Sequence, residues 1–400
     1  MHDARISNAL ASTDSRLSRR SFVAACATGF AALAVAGAAS GLRGGVARAS
    51  EQGDTITIEA LGADEKPLEV EVPYDPQRIA ILDFAAFDII GTLGLADRVV
   101  GCASTTVDYL NDYLGGRTDV AALGTIKEAD LEATMGCEPD IIFIGGRLAK
   151  SYDDLVEIAP VVLLTTDEEI GLVESVRKNA TTIASIFGLE DQIADKMAGF
   201  DAEIEKIKAI GDEHTAIIGM VTSGSFNALA NDGRLSLIVN ECGFTNVAVG
   251  TDLIQESGGH GGSAGSASAD GSAKSEGHGH GAASSAADSG AAAASGAADG
   301  SSSTLPSGST NPHGEEASFE TIVSLDPDYI FVMDRDAAIG TEGAQYARDV
   351  MDNELVNSTR AYADGHIVYL EHPAVWYTVE GGITALEVMI EDLNAGLGIE

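Results

Sequence analysis

The chain has 400 residues, of which 23 are basic and 62 acidic, for a formal net charge of −39. That length suits two ordinary domains, and such acidity speaks against binding to nucleic acid or to an anionic membrane surface. Beyond Cys26 the chain has three cysteines, Cys102, Cys137 and Cys242, which cannot all pair internally and lack CxxC spacing, so no disulfide framework or cysteine-based metal site is read.

Ser18-Arg19-Arg20-Ser21-Phe22 opens the sequence's first pattern. An apolar stretch (FVAACATGFAALAVAGAA) and Ala47-Arg48-Ala49 follow, the order of a twin-arginine signal peptide with its cleavage site. Residues 1–49 are therefore expected to be removed on export. Val23-Ala24-Ala25-Cys26 fits a lipoprotein box formally but lies too close to the arginines, so no lipid anchor is expected. No later segment has the roughly 20 apolar residues of a membrane span. The first 50 residues hold six arginines, leaving only 17 basic residues beyond them.

Residues 54–72 alternate apolar and polar (TITIEA, PLEVEV), as an edge hairpin does. From Gln77 the pattern becomes strand (RIAIL), helix (FAAFDIIGTLG) and strand (RVVGC). A helix from about Asp130, the run IIFIGGR and a further strand at 161–165 (VVLLT) continue an α/β alternation with buried, parallel strands. Residues 168–211 carry no strand signal. There Ile193, Met197, Phe200, Ile204 and Ile207 form a helical stripe, and a helix over 190–211 is long enough to join two lobes. The alternation restarts at AIIGMV (216–221), continues with a helix from about Leu235, YIFVMDR and HIVYL (366–370), and closes with an amphipathic helix over Ile383–Leu397.

This predicts an N-terminal lobe over 50–189, the connecting helix over 190–211 and a C-terminal lobe over 212–400. The second lobe carries an insertion at 255–312, almost entirely Gly, Ala, Ser and acids. Such a tract cannot bury enough apolar surface to offset its ordering entropy, so it reads as disordered. Its His260, His278 and His280 are either weak metal donors or incidental residues of a solvated linker.

One motif occurs twice, 188 residues apart. Glu132, Pro139, Asp140, Ile142, Phe143 and Arg147 recur at identical offsets as Glu320, Pro327, Asp328, Ile330, Phe331 and Arg335. Each copy ends a strand run with one arginine, as the two jaws of an anion-binding cleft would. Arg234, in the turn Asn231-Asp232-Gly233-Arg234, is a third candidate; guanidinium forks suit planar oxygen donors. His313, beyond the insertion, and Tyr377, in Val375-Trp376-Tyr377, could ligate ferric iron, with His372 a competing candidate; the alternative is a loop histidine and a half-buried tyrosine. Glu132 and Glu320 fall in the first turns of predicted helices behind the N-caps Asp130 and Ser318. Acids there answer the helix dipole, or form a pair of knobs for a basic partner. No HExxH, GxSxG, P-loop or strand-linked GxGxxG is present, which lowers the case for an enzyme.

Four segments carry a resemblance. QRIAILDFAAFDIIGTLG, GTIKEADLEATMGCEPDIIFIGGR, HGEEASFETIVSLDPDYIFVMDRDAAIG and HIVYLEHPAVWYTVEGGITALEVM are similar to class III substrate-binding proteins of ABC importers. Within that class the chain most resembles ferric-siderophore receptors for catecholate ligands. The resemblance implies two Rossmann-like α/β lobes joined by a single long helix. It makes Arg147, Arg234 and Arg335 the triad that pairs with the anionic iron complex, His313 and Tyr377 the metal ligands, and Glu132 and Glu320 the docking points for the permease. Trp376, beside Tyr377, joins the expected ligand-binding residues. The expectation is thus an extracytoplasmic monomer without enzymatic activity or intrinsic cofactor. It would take Fe(III) as a siderophore complex, of the catecholate, tetradentate kind, and hand it to an ABC permease and its ATPase. The competing readings are haem or corrinoid binding on the same scaffold, an exported metalloenzyme using His313, His366 and His372, and a zinc chaperone using the histidine-rich tract.

Overall fold

The computed structural model describes residues 54–251, Ile254 and residues 315–399. The signal segment, the 255–312 insertion with its histidines, and His313 lie outside the described residues. Among those described, no helix is long and apolar enough to cross a membrane, and Cys102, Cys137 and Cys242 are free thiols.

The first lobe is built on a seven-stranded sheet. Its strands are β1 (Thr55–Leu61), β2 (Pro67–Pro73), β3 (Ile79–Ile81), β4 (Val99–Cys102), β5 (Ala121–Ala122), β6 (Ile141–Ile144) and β7 (Val161–Leu163), in the order β2-β1-β7-β6-β3-β4-β5. Strands β7 to β5 run parallel, and β3, β6 and β7 are buried at every residue, as the continuous apolar runs require. The hairpin β1–β2 pairs from Thr55 with Pro73 to Leu61 with Pro67 and joins antiparallel to β7, so the sheet is mixed rather than wholly parallel.

The second lobe contains β8 (Thr215–Thr222), β9 (Ser225–Ala228), β10 (Thr245–Asn246), β11 (Glu315–Glu316), β12 (Tyr329–Asp334) and β13 (Ile367–Tyr369). The order is β11-β9-β8-β12-β13, with β10 beside β8. Here β10, β8, β12 and β13 are parallel, while β9 folds back on β8 through Ser223 and Gly224, both at positive φ. That geometry is the two-residue hairpin turn matching strand twist.

The duplicated motif forms the same local unit in each lobe. Asp140 Oδ2 accepts from the backbone N–H groups of Gln77 and Arg78, both at 2.9 Å, and so fixes the start of β3. Asp328 Oδ2 accepts from the N–H and hydroxyl of Thr215, at 2.9 and 2.8 Å, and fixes the start of β8. Ile142, Phe143, Ile330 and Phe331 are fully buried. Asp130 and Ser318 cap helices Leu131–Gly136 and Phe319–Leu325 as expected, accepting from the N–H groups of Ala133 and Thr321.

Helix Glu190–Gly211 connects the two sheets; its 22 residues span about 33 Å at 1.5 Å per residue. It buries Ile193, Met197, Ile204 and Ile207, with Phe200 partly covered. The closing helix Ile383–Leu397 packs against this connector and also against helix Phe84–Thr92 of the first lobe, so it belongs to both lobes rather than to the second alone. Two carboxylates secure the junction. Asp88, fully buried on helix Phe84–Thr92, accepts from the N–H groups of Thr384 and Ala385 at 3.0 and 2.8 Å. Glu241 of the second lobe accepts from the N–H groups of Leu172 and Val173, at the start of helix Leu172–Phe187. Each carboxylate satisfies otherwise unpaired donors of a helix N-terminus.

Candidate functional site

In each lobe the chain reverses its direction of strand addition at one point. That point lies between β3 and β6 in the first sheet and between β8 and β12 in the second. Crevices beyond the carboxyl ends of strands at such points are where open α/β sheets bind ligands. Arg147 follows β6, in the short 3-10 helix Gly146–Ser151; Arg335 follows β12, as the first residue of helix Arg335–Ala338. Arg234 comes from the turn after β9, flanked by Gly233 and Leu235 at positive φ. A non-glycine residue with such a φ is uncommon and marks a backbone held by its surroundings.

The three arginines converge on one residue, Tyr377, two at its side chain and one at its backbone. The Arg335 Nε donates to the Tyr377 hydroxyl at 3.1 Å. The Arg234 guanidinium lies over the Tyr377 ring, 4.3 Å from its centre, and that of Arg335 lies 5.6 Å from it. Arg147 approaches from the other lobe, with Nη2 at 3.5 Å from the Tyr377 carbonyl oxygen. Burial depresses the Arg234 pKa, and the charges of Arg147 and Arg335 press in the same direction against the pull of Tyr377 and Glu380. A guanidinium does not deprotonate in a protein, so the cluster retains an electrostatic strain that a bound anion would relieve.

Arg147 and Tyr377 line an interlobe cavity of about 160 Å³ together with Asp83, Gly145, Thr165 and Glu380. It shares Leu164, Thr165, Thr166 and Asn179 with an adjoining cavity of about 450 Å³. Two lining acids escaped the sequence reading. Asp83 caps helix Phe84–Thr92 through the N–H of Ala86, and burial raises its pKa against the pull of Arg147. Glu380 is half-buried; burial pushes its pKa up to about 7, opposed by Arg234 and Arg147. Asp83 directly follows the RIAIL strand and Glu380 directly precedes Gly381-Gly382, the only signals available for either.

Trp376 departs from expectation. It is 2 % exposed and donates its indole N–H to Asp392 at 2.9 Å, in the core rather than in the cavity lining. Successive residues of a helix point about 100° apart, so helix Pro373–Thr378 turns Tyr377 to the cavity and Trp376 away from it. His372 pairs its Nδ1 with Asp392 at 2.8 Å, outside that lining. His366 stacks on Tyr329 with ring centres 4.1 Å apart. Among the described residues, no group of three or more His, Cys, Asp or Glu is placed to hold a metal ion. Glu132 and Glu320 are both exposed, and neither forms an ion pair with another described residue.

The sequence model of the periplasmic binding proteins matches residues 79–270 and 288–374, well over half of the chain. The chain belongs to the periplasmic binding protein family. The petrobactin-binding protein YclQ of Bacillus subtilis is 27% identical over 330 residues, 82% of this chain and 84% of that protein. Its crystal structure aligns with a TM-score of 0.65 over 87% of this chain and all of the solved one. A TroA-like periplasmic binding protein from Xylanimonas cellulosilytica is 29% identical and aligns with a TM-score of 0.63, covering 86% of this chain and 99% of its own. The ferric-anguibactin-binding protein FatB of Vibrio anguillarum is 21% identical over 326 residues, 80% of this chain and 82% of the relative. The two-lobed α/β fold of this periplasmic binding protein, with its connecting helix, agrees with the architecture that the sequence resemblance implies.

Proposed function

We propose that this periplasmic binding protein captures a ferric siderophore outside the cytoplasm and delivers it to an ABC permease for iron uptake. The observation that carries the reading is the convergence of Arg147, Arg234 and Arg335 on Tyr377. Two cations at the Tyr377 phenol and a third at its backbone carbonyl suit an anionic complex of a hard metal. One guanidinium about 4 Å from an anionic oxygen contributes roughly 4 kcal/mol at an effective dielectric of 20. Two relatives, one named for petrobactin and one for ferric anguibactin, support the same assignment.

The ligand class follows from coordination chemistry. A tetradentate bis-catecholate fills four of the six positions of Fe(III) and leaves two. Tyr377 supplies a phenolate oxygen for one, and His313 the donor for the other. A hexadentate tris-catecholate leaves the protein nothing to ligate, so the site favours tetradentate complexes. The cavity of about 160 Å³ is smaller than the roughly 300–1,000 Å³ of a site for a drug-sized ligand. The bulk of the siderophore therefore occupies the adjoining cavity or enters as the lobes part. Glu132 and Glu320, one exposed acid on each lobe, are the docking points for basic residues of the permease.

Titration decides the matter. A preformed ferric bis-catecholate quenches the fluorescence of Trp376, the chain's only tryptophan, with submicromolar affinity. Unchanged emission, or a Soret band with haemin and no response to the catecholate, refutes the proposal.

A further inference from the structure

Three arginines alone would favour the most highly charged anion available. A carboxylate, Glu380, stands in the field of two of them, Arg147 and Arg234. Glu380 lines the 160 Å³ cavity with Arg147 and Tyr377, and it also lines a smaller cavity of about 40 Å³ with Asp167, Glu168 and Asp232. The charges facing it are Arg234 and Arg147 on one hand and Glu241 and Glu168 on the other. Among the described residues, no group donates a hydrogen bond to its carboxylate, and no cation forms an ion pair with it. Its accepting capacity is left to whatever enters the cavity.

The backbone holds Glu380 in place. Gly381 has φ +105, and a Cβ there would lie 3.3 Å from Ala85 and 3.4 Å from Thr166. A Cβ on Gly382 would lie 2.3 Å from the Asp88 carboxylate. Both glycines let the chain press against the first lobe, and the next residues are tied to it by Asp88. The chain after Glu380 is thereby packed closely against the first lobe.

We propose that Glu380 is a specificity-determining residue that makes the cleft discriminate by ligand charge, accepting weakly anionic ferric complexes and disfavouring strongly anionic ones. The inference rests on the siderophore reading of the same site. Fe(III) with two catecholate dianions carries a net charge of −1, and with three a net charge of −3. Coulomb energy scales with the charge of the ligand. If neutralising Glu380 tightens binding of the monoanion about threefold, it tightens binding of the trianion about 27-fold, which changes the selectivity about ninefold.

The test uses two probes at pH 8, the ferric complexes of a synthetic tetradentate bis-catecholamide and of a hexadentate tris-catecholamide, titrated by tryptophan fluorescence. In Glu380→Gln the ratio of Kd for the tris to the bis complex falls about ninefold from its wild-type value. Glu380→Asp, which keeps the charge, holds that ratio near wild type. Melting curves confirm folding, and Glu380→Ser makes the same charge change if the glutamine variant is unstable. A ratio within twofold of wild type in the neutral variants, or an equal change in Glu380→Asp, overturns the proposal and leaves the siderophore reading intact. Failure of the wild-type protein to bind either probe overturns both.

Discussion

Replacing Asp88 with alanine removes one carboxylate from four donors. Those donors are the N–H groups of Thr384 and Ala385, the hydroxyl of Tyr109 at 2.8 Å and that of Thr92 at 3.2 Å. Loss of the helix cap alone costs about 0.5–2 kcal/mol. Hydrogen bonds to a charged group each contribute about 1.5–3 kcal/mol, and donors left buried without a partner carry a further penalty. Relief from desolvating the carboxylate offsets part of this, and Thr384 keeps its contacts to Thr92 and Tyr113 at 3.1 and 2.9 Å. The expected net loss is about 3–5 kcal/mol, large for a single substitution. Asp88→Asn preserves shape and one acceptor, so its loss should be about half as great. Urea unfolding followed by circular dichroism and by Trp376 fluorescence measures both variants. A loss below about 1 kcal/mol in Asp88→Ala, or identical losses in the two variants, would refute the view that this carboxylate joins the lobes.

Tyr377→Phe deletes the hydroxyl to which Arg335 donates; binding of a ferric bis-catecholate weakens at least tenfold and the charge-transfer band shifts, whereas an unaltered spectrum contradicts direct ligation. Glu380 titrates near 7 in the folded chain, against an ordinary glutamate value of about 4.3. The folded state thus holds a proton that the unfolded state lacks, so Glu380 lowers stability progressively as pH rises from about 4 to 7. Glu380→Gln should match wild type in melting temperature at pH 4 and exceed it at pH 8; equal curves at both would contradict this. Reversing Glu132 and Glu320 to arginine leaves siderophore affinity within twofold but abolishes uptake in cells, and normal uptake would remove the docking role.

The buried parallel strands were largely legible because each centres on a short apolar run. RIAIL, IIFI, VVL and YIFV reappear as β3, β6, β7 and β12. The connecting helix was legible from its stripe, and the caps Asp130 and Ser318 from local spacing. What escaped notice depends on contacts distant in sequence. β9 is a four-residue strand whose only mark is the Ser223-Gly224 turn. Asp88 reads as a helix-surface acid until Thr384 and Ala385, 296 and 297 residues later, present their N–H groups. Trp376 and Tyr377 are adjacent in sequence but differ by a third of a helical turn, so adjacency to a site residue was no guide to membership of the site.

Helix Ile383–Leu397 bears on the order of assembly. A protein is made from its N-terminus, and domains usually fold in that order. Helix Phe84–Thr92 is complete early, yet the donors that satisfy Asp88 are synthesised 296 and 297 residues later. Until residues 383–397 dock, the first lobe keeps an exposed carboxylate where it needs a buried one. A chain without this helix would therefore be unfinished in both lobes at once, not merely shortened in the second.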